Sequence, residues 1–134
     1  KIKIREIART HKIPVLMVTG NGENVIIDVE RFDINNKVPL LNGYLKMRVI
    51  EKIKNGAGSF EEKIKLARDF MGAEYLVKRL RDSFRQVGKT LAGIPQLSES
   101  SFLRGAVVCH FAKQIAIGNR VLPGRYFLNI KNLI

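Results

Sequence analysis

The side chains able to do chemistry are few and scattered. Cys109 and His110 are neighbours, His11 is the other histidine, and there is no second cysteine. A thiolate–imidazole pair needs both groups on one face. Consecutive residues of a helix point about 100° apart, so Cys109 reads as a structural cysteine. One cysteine excludes an internal disulfide and any cysteine-cluster zinc site, and with two histidines it makes no recognisable metal set. His11 lies near a helix end, where a solvated or capping role explains it. Gly20-Asn21-Gly22-Glu23-Asn24-Val25 has the opening spacing of a dinucleotide-binding loop. It lacks the third glycine and leads into a strand, whereas phosphate binding needs a helix N-terminus at that point. A tight hairpin turn is the better reading.

The charged residues offer two further sets. Asp28 and Asp33 flank a strand end; a lone carboxylate without a partner argues for turn chemistry before catalysis. Glu61 and Glu62 fall in the first turn of a helix, where the dipole favours carboxylates. Lys78, Arg79, Arg81, Arg85 and Lys89 form a basic helix face. Such a face is either solvated or in contact with phosphates and other polyanions.

The elements that would hold these residues follow from periodicity. Residues 1–12 place Ile4, Ile7 and Ala8 on one stripe, with Lys3, Arg5, Glu6 and Arg9 around it, an amphipathic helix. It carries no start signal, as a truncated helix would. Ile13–Thr19 is a short apolar run opened by Pro14, expected as a buried strand of the parallel-sheet kind. Asn24–Val29 is a second strand, joined to the first as a hairpin. Residues 30–45 read as loop and 46–54 as a short helix ended by Asn55-Gly56-Ala57-Gly58. Ser59 and Glu62 form a capping box. Phe60, Ile64, Ala67 and Met71 follow at helical spacing, and Gly72 breaks the run. Leu76, Leu80, Phe84 and Val87 continue toward Leu91. After the non-helical joint 93–97, Ser98 and Ser100 are candidate N-caps. Residues 102–117 are apolar almost all round, which predicts a well-buried helix closed by Gly118. Pro123-Gly124 is a turn, and 125–130 a last strand.

Length and composition bound the answer. The 134 residues suit one domain, and 46% apolar content supplies a core. No run of about 18 apolar residues exists to cross a membrane. No apolar leader with a cleavage site opens the chain. These readings, with the single cysteine, fit a cytoplasmic home. The 24 Lys+Arg against 12 Asp+Glu give a net charge of +12 and a pI near 10.2. That excess attracts polyanions within a Debye length of about 8 Å. A lysine-rich surface serving solubility is the competing reading. The aromatics do not interleave with the cations as base stacking requires.

Several segments together resemble the C-terminal portion of the ThiF/MoeB family of adenylating, ubiquitin-activating-like enzymes. Gly105–Gly118 (GAVVCHFAKQIAIG), followed by Pro123-Gly124-Arg125-Tyr126-Phe127, is similar to the family's closing helix and final strand. The segment with Pro14 (IPVLM), then Asp28-Val29-Glu30-Arg31-Phe32-Asp33, resembles a bacterial subgroup, some of whose members are fused to a nitroreductase-like domain. Pro95-Gln96-Leu97 resembles that subgroup's joint before the last helix. Residues 46–69 match nothing in the family. Phe111 departs from it, standing where MoeB-like helices often carry glutamate.

The resemblance implies an α/β fold, a partial Rossmann-like half with few strands, a helical middle and a buried closing helix. It implies that ATP and magnesium are bound by an upstream half, whose glycines and acids are not in this sequence. Catalytic, cofactor and metal residues are therefore expected to be absent here. Pro14, Asp28, Glu30, Arg31, Pro95, Gln96, Gly105, Gly118, Gly124 and Arg125 become structural motif residues. The expected chain is a single domain over 1–134: helix, strand and hairpin over 1–33, a mostly helical 34–100, and a closing helix and strand over 101–134. Its expected partner is the upstream nucleotide-binding half or a second copy of itself. The alternatives are a small basic nucleic-acid-binding module and a stand-alone oligomerising domain.

Overall fold

A computed structural model describes residues 1–56 and 58–130. Ala57 of the expected 55–58 turn and the last four residues of the 101–134 segment lie outside the described residues. The fold is mixed α/β, with five α-helices and a three-stranded sheet among the described residues. Two compact units form along the chain. Lys1, Lys3–Gly43 and Gln96–Ile134 make the first; Ile2 and Tyr44–Pro95 make the second.

The first unit is built on the sheet. β1 (Val15–Asn21) and β2 (Asn24–Glu30) form the expected hairpin, and β3 (Gly124–Leu128) pairs with the other side of β2. Gly22 turns the hairpin at φ 64°. A glycine in left-handed conformation at the first of two loop positions is what a type II′ turn requires. All pairings are antiparallel. The expectation of a parallel-type buried strand at 13–19 is thus corrected. β1 is half-buried over most of its length, because among the described residues it is partnered on one side only.

Alternation along β2 gives it two buried faces. Val25, Ile27 and Val29 point one way, onto a cluster with Leu16, Val18, Tyr126 and Leu128 from the neighbouring strands. α5 (Ser98–Ala116) covers that cluster with Leu103, Val107 and Phe111. Burying each Val or Ile contributes about 1.5–3 kcal/mol. Gly20 lies on the same side, where a Cβ would come within 3.2 Å of Ser100 Oγ. Ile26, Asp28 and Glu30 point the other way, and all three are buried.

Two helices of this unit depart from expectation. In α1 (Ile2–Thr10) the buried stripe is Ile2, Arg5 and Ala8, while Ile4 (67% exposed) and Ile7 face outward. The helix is rotated from its apolar stripe because Arg5 has a buried partner. α5 is covered on one side only, not buried all round. Its residues Phe102, Gly105, Ala106, Cys109 and Ala116 are exposed, Phe102 at 82%. Leu97 holds its N-cap position; Ser98 does not cap, and the Ser100 hydroxyl instead donates to the Leu97 carbonyl at 3.0 Å. Its C-terminus ends as expected. Gly118 at φ 79° donates to Ile115 O, and Asn119 donates to Gln114 O, a Schellman closure.

The second unit is helical: α2 (Met47–Asn55), α3 (Phe60–Met71) and α4 (Lys78–Gln86). Leu76, Leu80 and Phe84 form its core with Ile64, Ala67, Met71 and Ile94. Phe60 was expected on this stripe but is exposed. Ser59 caps α3 by accepting from Glu62 N–H at 3.1 Å. The return bond of the box lands one residue upstream, from Gly58 N–H to the Glu62 carboxylate. α4 stops at Gln86, short of Leu91, because the N–H groups of Lys89, Thr90 and Leu91 all turn back to the Gln86 carbonyl.

Candidate functional site

The buried charged groups among the described residues lie along β2, on the turn after it and on the elements that pack against them. Asp28 stands directly opposite Arg125 of β3. Arg125 Nε donates to Asp28 Oδ1 at 2.6 Å and Nη2 to Oδ2 at 3.0 Å, a two-point fork, with the side chains 2% and 0% exposed. Two residues on, Glu30 shares the same face. Arg5 Nε of α1 donates to Glu30 Oε2 at 2.5 Å, and the Leu41 amide donates to Oε1 at 2.6 Å. Arg5 also reaches Met17 Sδ of β1 and the Lys1 carbonyl.

Glu30 therefore joins α1, β2 and the 3-10 turn Leu40–Gly43. That turn needs holding. Leu41 and Asn42 adopt φ 53° and 50°, a left-handed conformation that side chains disfavour by about 1–2 kcal/mol per residue. Asn42 adds a second clip, donating from Nδ2 to the Val29 carbonyl at 3.0 Å.

Arg31 completes the series. It donates to both oxygens of Asp33 and, through Nη1, to the Val121 carbonyl on the segment leading to β3. The hydrogen bonds from Arg31 hold the Asp33 carboxyl below its usual range, against the opposing effect of burial; Asp33 in turn raises Arg31. Asp28 departs from the expected turn chemistry and pairs with Arg125 instead; Asp33 lies in a turn, where its carboxylate accepts from the backbone as well as from Arg31.

The buried charges of this arrangement are satisfied from within the chain. Among the described residues, no buried side-chain nitrogen or oxygen lacks a hydrogen-bond partner. The geometry is that of clips tying distant segments to β2. Arg5 was missed in the sequence, since an arginine on a core stripe is legible only once its acid is known.

The remaining singled-out residues are dispersed. His11 is exposed at the C-cap of α1, as expected. Cys109 and His110 are exposed on α5, correcting the expectation of a buried structural cysteine; the His110 ring meets Phe111 edge-on at 5.9 Å. Glu62 caps α3. Pro14 precedes β1, Gly105 is exposed on α5, and Gly124 opens β3. Pro95 and Gln96 stand where the chain passes from the second unit to the first. The basic face divides: Arg81, Arg85 and Lys89 line a cleft within the second unit, while Lys78 and Arg79 lie outside it.

The glycines of the 20–25 loop form no phosphate cradle. Gly20 and Gly22 sit at a strand end and a hairpin turn, with no helix opening there. Among the described residues, no group of three or more His, Cys, Asp or Glu could hold a metal ion. No helix among them is long and apolar enough to cross a membrane.

Comparison with known proteins adds one relative. An uncharacterized protein of Mycobacterium tuberculosis (strain CDC 1551 / Oshkosh) is 27% identical over 130 residues. The match covers 97% of this chain and 18% of that protein, so the chain spans less than a fifth of its relative's length. No family model matches the chain, and no solved structure matches it.

Proposed function

We propose that this chain is the C-terminal structural and partner-binding portion of a ThiF/MoeB-like adenylating protein, a partial Rossmann-like half that works without catalytic residues of its own. Its partner is the nucleotide-binding half, which supplies ATP and magnesium sites that this chain lacks. The observation that carries the reading is α5. A helix apolar on both sides leaves Phe102, Ala106 and Cys109 uncovered on its outer side. Exposed contiguous apolar surface of this kind marks an interface. The length of the mycobacterial relative supports a second body to cover it. The ion-pair clips on β2 fit the same reading, because they spend the motif carboxylates on rigidity.

Self-association is the second form of this reading. Among the described residues β1 and β3 are both edge strands, and unpaired edges recruit strands. Light scattering that gives a monomer at high concentration removes this form.

The test has two arms. The 134-residue chain alone is expected to catalyse no ATP–pyrophosphate exchange, the signature of adenylation, and exchange by this chain alone overturns the proposal. The intact mass of the protein in its source cell is expected to exceed 15.2 kDa substantially. A mass of 15.2 kDa overturns the assignment to a larger adenylating protein.

A further inference from the structure

α3 and α4 enclose an open cleft of about 840 Å3, all of it within the second unit. Its walls carry Lys65 and Arg68 from α3, Arg81 and Arg85 from α4, and Lys89 from the turn that follows. Two of these cations are already engaged: Arg68 with Asp69, and Arg85 with Asp82, both at 3.1 Å. Among the described residues, Lys65, Arg81 and Lys89 make no ion pair. Glu61 and Glu74 are the acids of the lining. Phe60, more than half exposed, borders the same cleft, its ring against Gly88.

We propose that this cleft is a binding site for a small polyphosphate group of two or three phosphates. Three cations that make no ion pair, from three chain segments, line this one open cleft. Its volume is that of a small-ligand site, within about 300–1,000 Å3. Glu61 and Glu74 interrupt the basic lining, which suits a ligand of the cleft's own size over a long nucleic-acid strand. Lysine and arginine together suit phosphate oxygens, one as a point charge and the other as a fork. The exposed Phe60 ring offers a flat surface to a planar group attached to the phosphates.

The proposal is tested with the full 134-residue chain and inorganic tripolyphosphate, followed by titration calorimetry. The expected result is saturable one-to-one binding. The double variant Arg81→Glu/Lys89→Glu should weaken it by about ten-fold or more, each lost contact being charge-assisted. Lys78→Glu/Arg79→Glu changes the net charge equally but should weaken binding clearly less, because neither residue lines the cleft. If the reversal fails to fold, by circular dichroism, the neutral pair Lys65→Gln/Lys89→Gln replaces it. Three outcomes overturn the proposal: no binding of tripolyphosphate, equal weakening by both double reversals, or binding only of oligothymidylate with an affinity that grows with strand length. Adding a nucleoside to the triphosphate separates the two ligand sources. Tighter binding that Phe60→Ala removes identifies a nucleotide, and unchanged affinity identifies the bare phosphate chain.

Discussion

Arg5 and Glu30 form a buried ion pair at 2.5 Å, with side chains 4% and 0% exposed, across 25 residues of sequence. The same carboxylate accepts the amide of Leu41. One acid thus fixes the rotation of α1 and the left-handed turn at 40–43. Removing one member of such a pair leaves an uncompensated charge. Arg5→Met is expected to destabilise the chain by about 3–5 kcal/mol, measured by urea unfolding. Adding Glu30→Gln should recover part of that loss, since an amide oxygen still serves Leu41 without a buried charge.

Acid sensitivity should include a contribution from Asp33. Its folded carboxyl is held low by hydrogen bonds from Arg31, relative to an unfolded value of about 3.9. The unfolded state then binds the proton more readily. The stabilisation is complete above the unfolded value and disappears as pH falls through the lower folded value. Asp33→Asn should therefore lose stability near neutral pH and show a shallower decline below about pH 4 than the parent. Urea midpoints across that range check it.

Lys12 ends α1 in a left-handed conformation, at φ 54°, while the Ile13 amide closes the helix onto the Ala8 carbonyl. A glycine adopts that conformation without the side-chain penalty. Lys12→Gly should raise the unfolding free energy by about 0.5–1 kcal/mol in thermal or urea unfolding.

Gly20 has the opposite character. An added Cβ would stand 3.2 Å from Ser100 Oγ, which is held by its bond to Leu97 O in a residue only 2% exposed. Little room exists for that hydroxyl to yield. Gly20→Ala should destabilise by about 1–3 kcal/mol, the usual effect of overpacking.

Much of the element order was legible because the local signals were strong. The Gly22 turn, the Ser59 cap, the Gly72 break and the Gly118 closure each rest on one residue's own chemistry. The errors arose where partners decide. The apolar stripe of α1 pointed to Ile4 and Ile7, yet the helix turns Arg5 inward because Glu30 is there. The apolar character of α5 could not reveal that only one side is covered. Asp28 looked like turn chemistry because Arg125, its opposite number, lies 97 residues away. No local pattern carries a pairing of that range. The cleft between α3 and α4 was half visible: the basic face of α4 is legible in its sequence, but Lys65 and Arg68 join it only when the helices fold together.

The central claim is that the acids of β2 are structural clips, and the pair Asp28–Arg125 tests it most directly. A double-mutant cycle with Asp28→Ala, Arg125→Ala and both together would be followed by urea unfolding. Each single change is expected to cost about 3–5 kcal/mol, and the double change clearly less than their sum, because the second removes a charge the first has stranded. Single changes that cost under about 1 kcal/mol and simply add would contradict the account, and would return Asp28 to the set of carboxylates free for chemistry.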